Sequence, residues 1–259
     1  IRYSEVSEGK VNLVAEISGL LKVDRALLTE VNSQEQIVLA ARHGNTLVRE
    51  GDVLAGTRVV PLVIEEERVQ LVEEICQDRF VLEVKPLQKY KVGLVITGSE
   101  VFYGRIKDAF GPVLKQKFTD LGSDIIEQVH VPDDLAEIAA VLRSLLNKEV
   151  DMIAVSGGMS VDPDDLTPGA IKAAGAEIIG YGAPVLPGSM FLMGYFGKVP
   201  VVGLPGCVMY SKATVFDLVL PRILAGERIS KQDLIDLAYG GLCLQCQECK
   251  YPVCPFGKA

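Results

Sequence analysis

Two kinds of hydrophobic spacing divide the chain. From Lys91 onward, short continuous apolar runs alternate with stretches of helical spacing. The runs at 92–97, 124–131, 151–156 and 199–204 read as strands. The stretches at 107–121 and 166–174 read as helices stopped by Gly122 and Gly175, and 134–146 as a further helix. An irregular Gly/Pro-rich segment precedes the last strand, and one long helix is expected from about 206 to about 224. Strands that are apolar throughout are buried on both faces. Their alternation with helices predicts an α/β fold with a mostly parallel sheet and helices on both faces. In such sheets the loops at the C-terminal strand ends form the ligand crevice.

The residues before Lys91 follow another pattern. β-prone runs at 11–15 and 36–40 are broken by Gly19, Gly44, Gly51 and Gly56, and 52–64 fits one or two strands around Gly56. Two helices are expected, at 24–31 with Asp24 as N-cap and at 65–77, where Val69, Val72 and Ile75 recur at helical spacing. Three parts follow: a small mixed β-rich domain at 1–88, the α/β domain at 89–228, and a tail at 229–259.

Composition narrows the function classes. A formal net charge of −8 argues against sequence-independent nucleic-acid binding, which needs a basic face. No apolar run reaches the roughly 20 residues that span a bilayer, and no secretion signal is present, so the cytoplasm is the expected location and no membrane partner is expected. The first residue is Ile1, not Met, so a further N-terminal stretch is expected in the natural protein. The phosphate-loop, dinucleotide and serine-hydrolase signatures are missing. His43 and His130 have no nucleophile motif around them.

Candidate chemistry falls at strand ends. Thr97-Gly98-Ser99-Glu100 offers small residues and hydroxyls to a phosphate or a heterocycle edge, or serves only as a tight strand-to-helix turn. Ser156-Gly157-Gly158-Met159-Ser160 suits a nest of amides around an anion. It runs into an acidic segment containing Asp162, Asp164 and Asp165, which would repel a phosphate unless Mg²⁺ bridges them. Asp165 can alternatively cap a helix whose first turn holds Thr167 and Pro168. Pro205-Gly206 precedes Cys207 at the start of the expected long helix, where amides and dipole favour a negative group. In Pro132-Asp133-Asp134, Asp134 is the expected N-cap, which leaves Asp133 to face the crevice.

In the tail, Cys243, Cys246, Cys249 and Cys254 lie within twelve residues and are followed by Pro255. Four thiolates at this spacing can close a zinc site or hold an iron–sulfur cluster. The alternatives are a disordered reduced tail or disulfides formed on oxidation.

Taken in order, the five strand-end motifs resemble the molybdopterin-binding domain of molybdenum-cofactor biosynthesis proteins, over about 91–226. The resemblance implies molybdopterin and possible ATP as ligands, Mg²⁺ between carboxylates and phosphates, catalytic roles for Asp133 and Asp165, and a homo-oligomer. It implies adenylyl transfer or molybdate insertion. A non-enzymatic carrier and a nucleotide pyrophosphatase are the alternatives. Cys207-Val208 stands where the molybdenumtransferase branch usually has Asn-Pro, and the large N-terminal part of that branch is not evident.

Overall fold

Alternate residues of one strand decide how a sheet is covered. In the run 92–96 every side chain position is buried, so the strand lies between two layers of packing. The computed structural model, which describes residues 1–160 and 165–258, divides into two units, Ile1–Leu87 and Gln88–Ala259.

The first unit is built from short antiparallel strands: β1 (Arg2–Tyr3), β2 (Lys10–Val14), β3 (Gly19–Val23), β4 (Ile37–Ala41), β5 (Thr46–Val48), β6 (Val53–Val59) and β7 (Leu82–Lys85). They form a four-stranded sheet in the order β1-β2-β6-β4 and a three-stranded sheet in the order β5-β3-β7. Ala15, Leu21, Val48, Leu54 and Leu82 make its core. Helix α1 (Arg25–Asn32) starts at Asp24, whose carboxylate accepts from the Leu27 amide as expected. Helix α2 (Glu66–Cys76) forms where Val69, Val72 and Ile75 predict it, yet buries none of its residues fully. β6 passes straight through Gly56 and stops at Val59, short of the expected 64.

The second unit holds a six-stranded sheet. Its strands are β8 (Lys91–Thr97), β9 (Asp124–Val131), β10 (Met152–Ser156), β11 (Glu177–Tyr181), β12 (Leu192–Phe196) and β13 (Val199–Leu204), in the order β11-β12-β13-β10-β8-β9. β9, β8, β10 and β13 are parallel; β12 and β11 add antiparallel to that edge. The fold is thus α/β with a mostly parallel sheet. The helices are α3 (Ser99–Phe102), α4 (Phe110–Asp120), α5 (Leu135–Leu146), α6 (Thr167–Ala173), α7 (Val215–Leu224) and α8 (Lys231–Asp236). On one face Val95, Ile153, Val155 and Val201 meet Ile138, Leu142 and Leu145 of α5 and Ile171 of α6. Elsewhere in the unit Phe118 of α4 and Phe216 of α7 meet edge to face at 5.6 Å.

Three expectations need correction. The helix expected at 107–121 starts at Phe110, because Asp108 Oδ1 accepts from the Phe110 and Gly111 amides and so fixes the first turn there. The single long helix expected from 206 to 224 is two elements. A 3₁₀ turn covers Gly206–Met209, and α7 begins afresh at Val215. A capping box causes the restart. The Thr214 hydroxyl accepts from the Phe216 amide, and Asp217 Oδ2 accepts from the Thr214 amide. The irregular segment before β13 contains two strands, β11 and β12. No helix of the described residues is long and apolar enough to cross a membrane.

The last thirty residues belong to the second unit. Leu186 donates its amide to the Gly241 carbonyl and accepts from the Cys243 amide, each at 2.8 Å. The Tyr251 hydroxyl donates to the Asp217 carbonyl at 2.8 Å, and Phe256 is buried. A tail fixed at both ends of the cysteine run is not the disordered segment that stood among the alternatives.

Candidate functional site

Four parallel strands end side by side, at Thr97, Val131, Ser156 and Leu204, and the motif loops leave from these ends. The loops are locked to one another by short polar contacts. Thr97 is buried; its hydroxyl lies 3.2 Å from that of Thr167 and 3.5 Å from the Ser156 carbonyl. The Thr167 hydroxyl donates to the Gly157 carbonyl at 2.9 Å. Ser156, also buried, donates to the Leu204 carbonyl at 3.5 Å and so ties the end of β10 to the end of β13.

The glycine pair has an internal reason. Gly157 has φ +100°, and a Cβ there would lie 2.2 Å from the Thr97 carbonyl oxygen. A Cβ on Gly158, at φ +54°, would lie 2.8 Å from the Thr167 hydroxyl. No other residue lets the β10 loop pass this close to the end of β8.

The two carboxylates expected to be catalytic are each held by a neighbouring loop. Asp133 Oδ2 accepts from the Ser99 amide at 2.8 Å, while the Asp133 amide donates to the Ser99 hydroxyl at 3.2 Å. This reciprocal pair fastens the Thr97–Glu100 loop to the end of β9. The Gly98 amide adds a bond to the Val131 carbonyl. Asp134 caps α5 through the Glu137 amide, as expected. Asp165 Oδ2 accepts from the Ser160 amide at 2.6 Å. It does not cap α6, whose N-cap residue is Leu166. Pro168 does stand in the first turn of that helix. Asp162 and Asp164 lie outside the described residues.

The remaining expected positions differ in what they present. Glu100 and Ser160 are exposed, and so is Gly206, where a Cβ would meet nothing within 4 Å. Pro205 is buried. Met159 turns its side chain into the core: a Cβ on Gly203 would strike its sulfur at 2.7 Å. Gly206 opens a turn of only four residues, so the dipole of a long helix does not act there. Burial pushes the Cys207 thiol up, away from the reactive thiolate range.

Two further residues shape this edge. The Tyr181 hydroxyl donates to the Met159 and Ser160 carbonyls, both at 3.2 Å; burial first, and then the Asp165 carboxylate, raise its pKa. It lies at the end of β11, a strand that the sequence pattern hides. Lys117 of α4 pairs with Asp217 and donates to the Lys212 carbonyl at 3.1 Å, which anchors the segment following Gly206. A hundred residues separate that pair, and no local signal announces it.

The tail cysteines do not converge as expected. Among the described residues, no three of the Cys, His, Asp and Glu side chains stand together as a metal-holding group. All six cysteines are free thiols. The C-x2-C-x2-C stretch carries no regular secondary structure, so no hydrogen-bond ladder draws its thiols to one point. They line one cavity of about 380 Å³ instead.

Comparison with known proteins gives a consistent family. A CinA-like protein of Mycobacterium sp. (strain MCS) is 37% identical over 90 residues, which is 34% of this chain and 21% of that protein. A CinA-like protein of Mycolicibacterium gilvum is 39% identical over 77 residues, 30% of this chain and 18% of the relative. The chain therefore spans about a fifth of the length of the curated relatives it matches. Among solved structures, the molybdopterin biosynthesis enzyme MoaB of Thermus thermophilus superposes with a TM-score of 0.43 at 21% identity, covering 53% of this chain and 98% of that one. The molybdopterin biosynthesis MoeA protein of Pyrococcus horikoshii gives 0.44 at 18% identity, covering 82% and 68%. The family model described as a probable molybdopterin binding domain matches residues 93–225, just over half of the chain, and the chain belongs to that family.

Proposed function

We propose that the C-terminal edge of β9, β8, β10 and β13 binds molybdopterin and acts in molybdenum-cofactor assembly, by adenylyl transfer to the pterin phosphate or by molybdate insertion. One observation supports this most: five motifs scattered over more than a hundred residues meet along one sheet edge, cross-linked by Thr97, Thr167, Ser156 and the Ser99–Asp133 pair. The exposed Gly206 and the 97–100 and 156–160 loops would cradle the pterin and its phosphate, with backbone amides as donors.

Two carboxylates would serve Mg²⁺. Asp133 is exposed and Asp165 partly so, and each engages one carboxylate oxygen with a backbone amide. The other oxygen of each would hold the ion together with phosphate oxygens. Mg²⁺ would neutralise phosphate charge when bound. The chain's own part is positioning: the amide bonds fix both carboxylates, and the buried Thr97 and Ser156 keep the loops in register. The four tail cysteines, which line one cavity, would hold a further metal, as an iron–sulfur centre or zinc.

The same amide bonds favour a second reading, a carrier that binds the pterin without turning it over, because they give Asp133 and Asp165 a structural duty. An adenylylation assay with molybdopterin and Mg-ATP separates the two. For the enzyme, Asp165→Asn and Asp133→Asn are expected to lower turnover by about 100-fold or more while pterin affinity stays within a few-fold. Pterin binding with no turnover in the wild type would establish the carrier. Hydrolysis of a nucleoside diphosphate sugar such as ADP-ribose, without adenylylation, would point to the pyrophosphatase.

A further inference from the structure

The tail encloses space as well as thiols. Cys243, Cys246, Cys249 and Cys254 all line the same cavity of about 380 Å³, and the rest of its wall is largely apolar, with Pro187, Leu242 and Phe256 among its residues. A zinc ion held by four thiolates at about 2.3 Å needs no cavity, because the sulfurs themselves fill the space around it. Here the thiols stand around the wall without grouping at a point. A cavity of that size leaves room for a polynuclear centre, whose corner irons would reach outward to sulfurs on its wall.

From this we propose that the tail houses a [4Fe–4S] cluster, with those four cysteines as its ligands. Spacing agrees. The first three cysteines follow at x2 intervals, the run used by iron–sulfur ligand loops. In the bacterial two-cluster run the cysteine before Pro serves the other cluster; here Cys254, before Pro255, lines the same cavity as the first three and so completes their set. Charge agrees as well. Four thiolates give the occupied centre a net negative charge, and Lys212 and Lys250 stand in the wall. Lys250 pairs with Glu248; Lys212 forms no ion pair among the described residues. Assembly joins two ferrous ions, two ferric ions and four sulfides, forms four iron–sulfur bonds to cysteine and releases the four thiol protons to solvent. With two ferric and two ferrous ions supplied, the core forms in its 2+ state without any further oxidant.

The placement has a consequence. Tyr210, Ser211, Lys212 and Ala213 form one side of the cavity, and they follow the 3₁₀ turn Gly206–Met209 that begins at the end of β13. The cluster therefore sits against the segment that links the crevice to α7. Its presence does not depend on what the crevice binds.

The test is anaerobic reconstitution of the full chain with equal ferrous and ferric iron and sulfide, followed by iron, zinc and acid-labile sulfide analysis and by electron paramagnetic resonance after dithionite reduction. The expected result is about four iron and four sulfide per chain with a signal on one-electron reduction. Cys246→Ser and Cys249→Ser should each lower bound iron by at least half, and Cys76→Ser should leave it unchanged. One zinc per chain without labile sulfide, or no stoichiometric metal, would overturn the proposal. The wild-type stoichiometry decides the matter even if a serine variant fails to fold.

Discussion

The strand-end crevice and the tail cavity are built in opposite ways. The crevice gathers residues from Thr97 to Gly206, and only the parallel sheet brings them together; its loops are packed so closely that glycine is obligatory at Gly157. The tail cavity takes its four thiols from one short irregular segment, held by Leu186 on one side and by Tyr251 and Phe256 on the other. Chemistry distributed along the chain is therefore as stable as the core beneath it. Chemistry concentrated in one segment depends on a few anchors and can open locally.

The largest effect should come from breaking the crevice side. Gly157→Ala must place a Cβ against the Thr97 carbonyl at a left-handed φ, and should cost about 4 kcal/mol, read as a lower urea midpoint. On the tail side, Phe256→Ala removes the buried anchor and should cost about 3 kcal/mol. The loss is expected to be local: protease should cut the tail at 243–254 while the sheet keeps its melting temperature. Global unfolding in step with the tail would erase the contrast between the two regions.

A smaller effect belongs to the link between them. Arg222 of α7 pairs with Glu227 at 2.8 Å and with Asp233 at the start of α8, the helix that leads into the tail. Burial opposes ionisation of Asp233, but the Ser230 hydroxyl and the Arg222 guanidinium outweigh it and hold its carboxyl at about 2, below its ordinary 3.8. A depressed folded-state pKa adds stability above the unfolded value that is lost as pH falls through the folded one. About 2 kcal/mol should disappear between pH 4 and pH 2. Urea midpoints measured across that range should fall for the wild type and stay flatter for Asp233→Asn.

What the sequence discloses follows the same division. β8 and β10 are legible because burial on both faces makes them apolar throughout, and β13 reads likewise. β11 and β12 are not, since Gly180, Gly194 and the prolines between them mimic loop composition. The apolar spacing on both sides of Thr214 reads as one helix, and only the hydrogen bonds of its capping box show the break. At the site, the motif residues are visible one by one. That Ser99 holds Asp133, or that Thr97 requires Gly157, depends on contacts made across neighbouring strands. The cysteine spacing signals a metal at once, but only the folded tail shows a cavity in place of a converged donor set.

The most direct test of the crevice uses Gly206→Asp. No atom lies within 4 Å of the added Cβ, so the fold should tolerate it, yet it sets a negative charge at the end of β13. Calorimetric titration of molybdopterin into the wild type should show one site per chain. Into the variant it should show affinity lower by about tenfold or more, worth about 1.4 kcal/mol, with an unchanged melting temperature. Equal affinity for both proteins, or no binding by the wild type, would contradict a pterin phosphate held at this sheet edge.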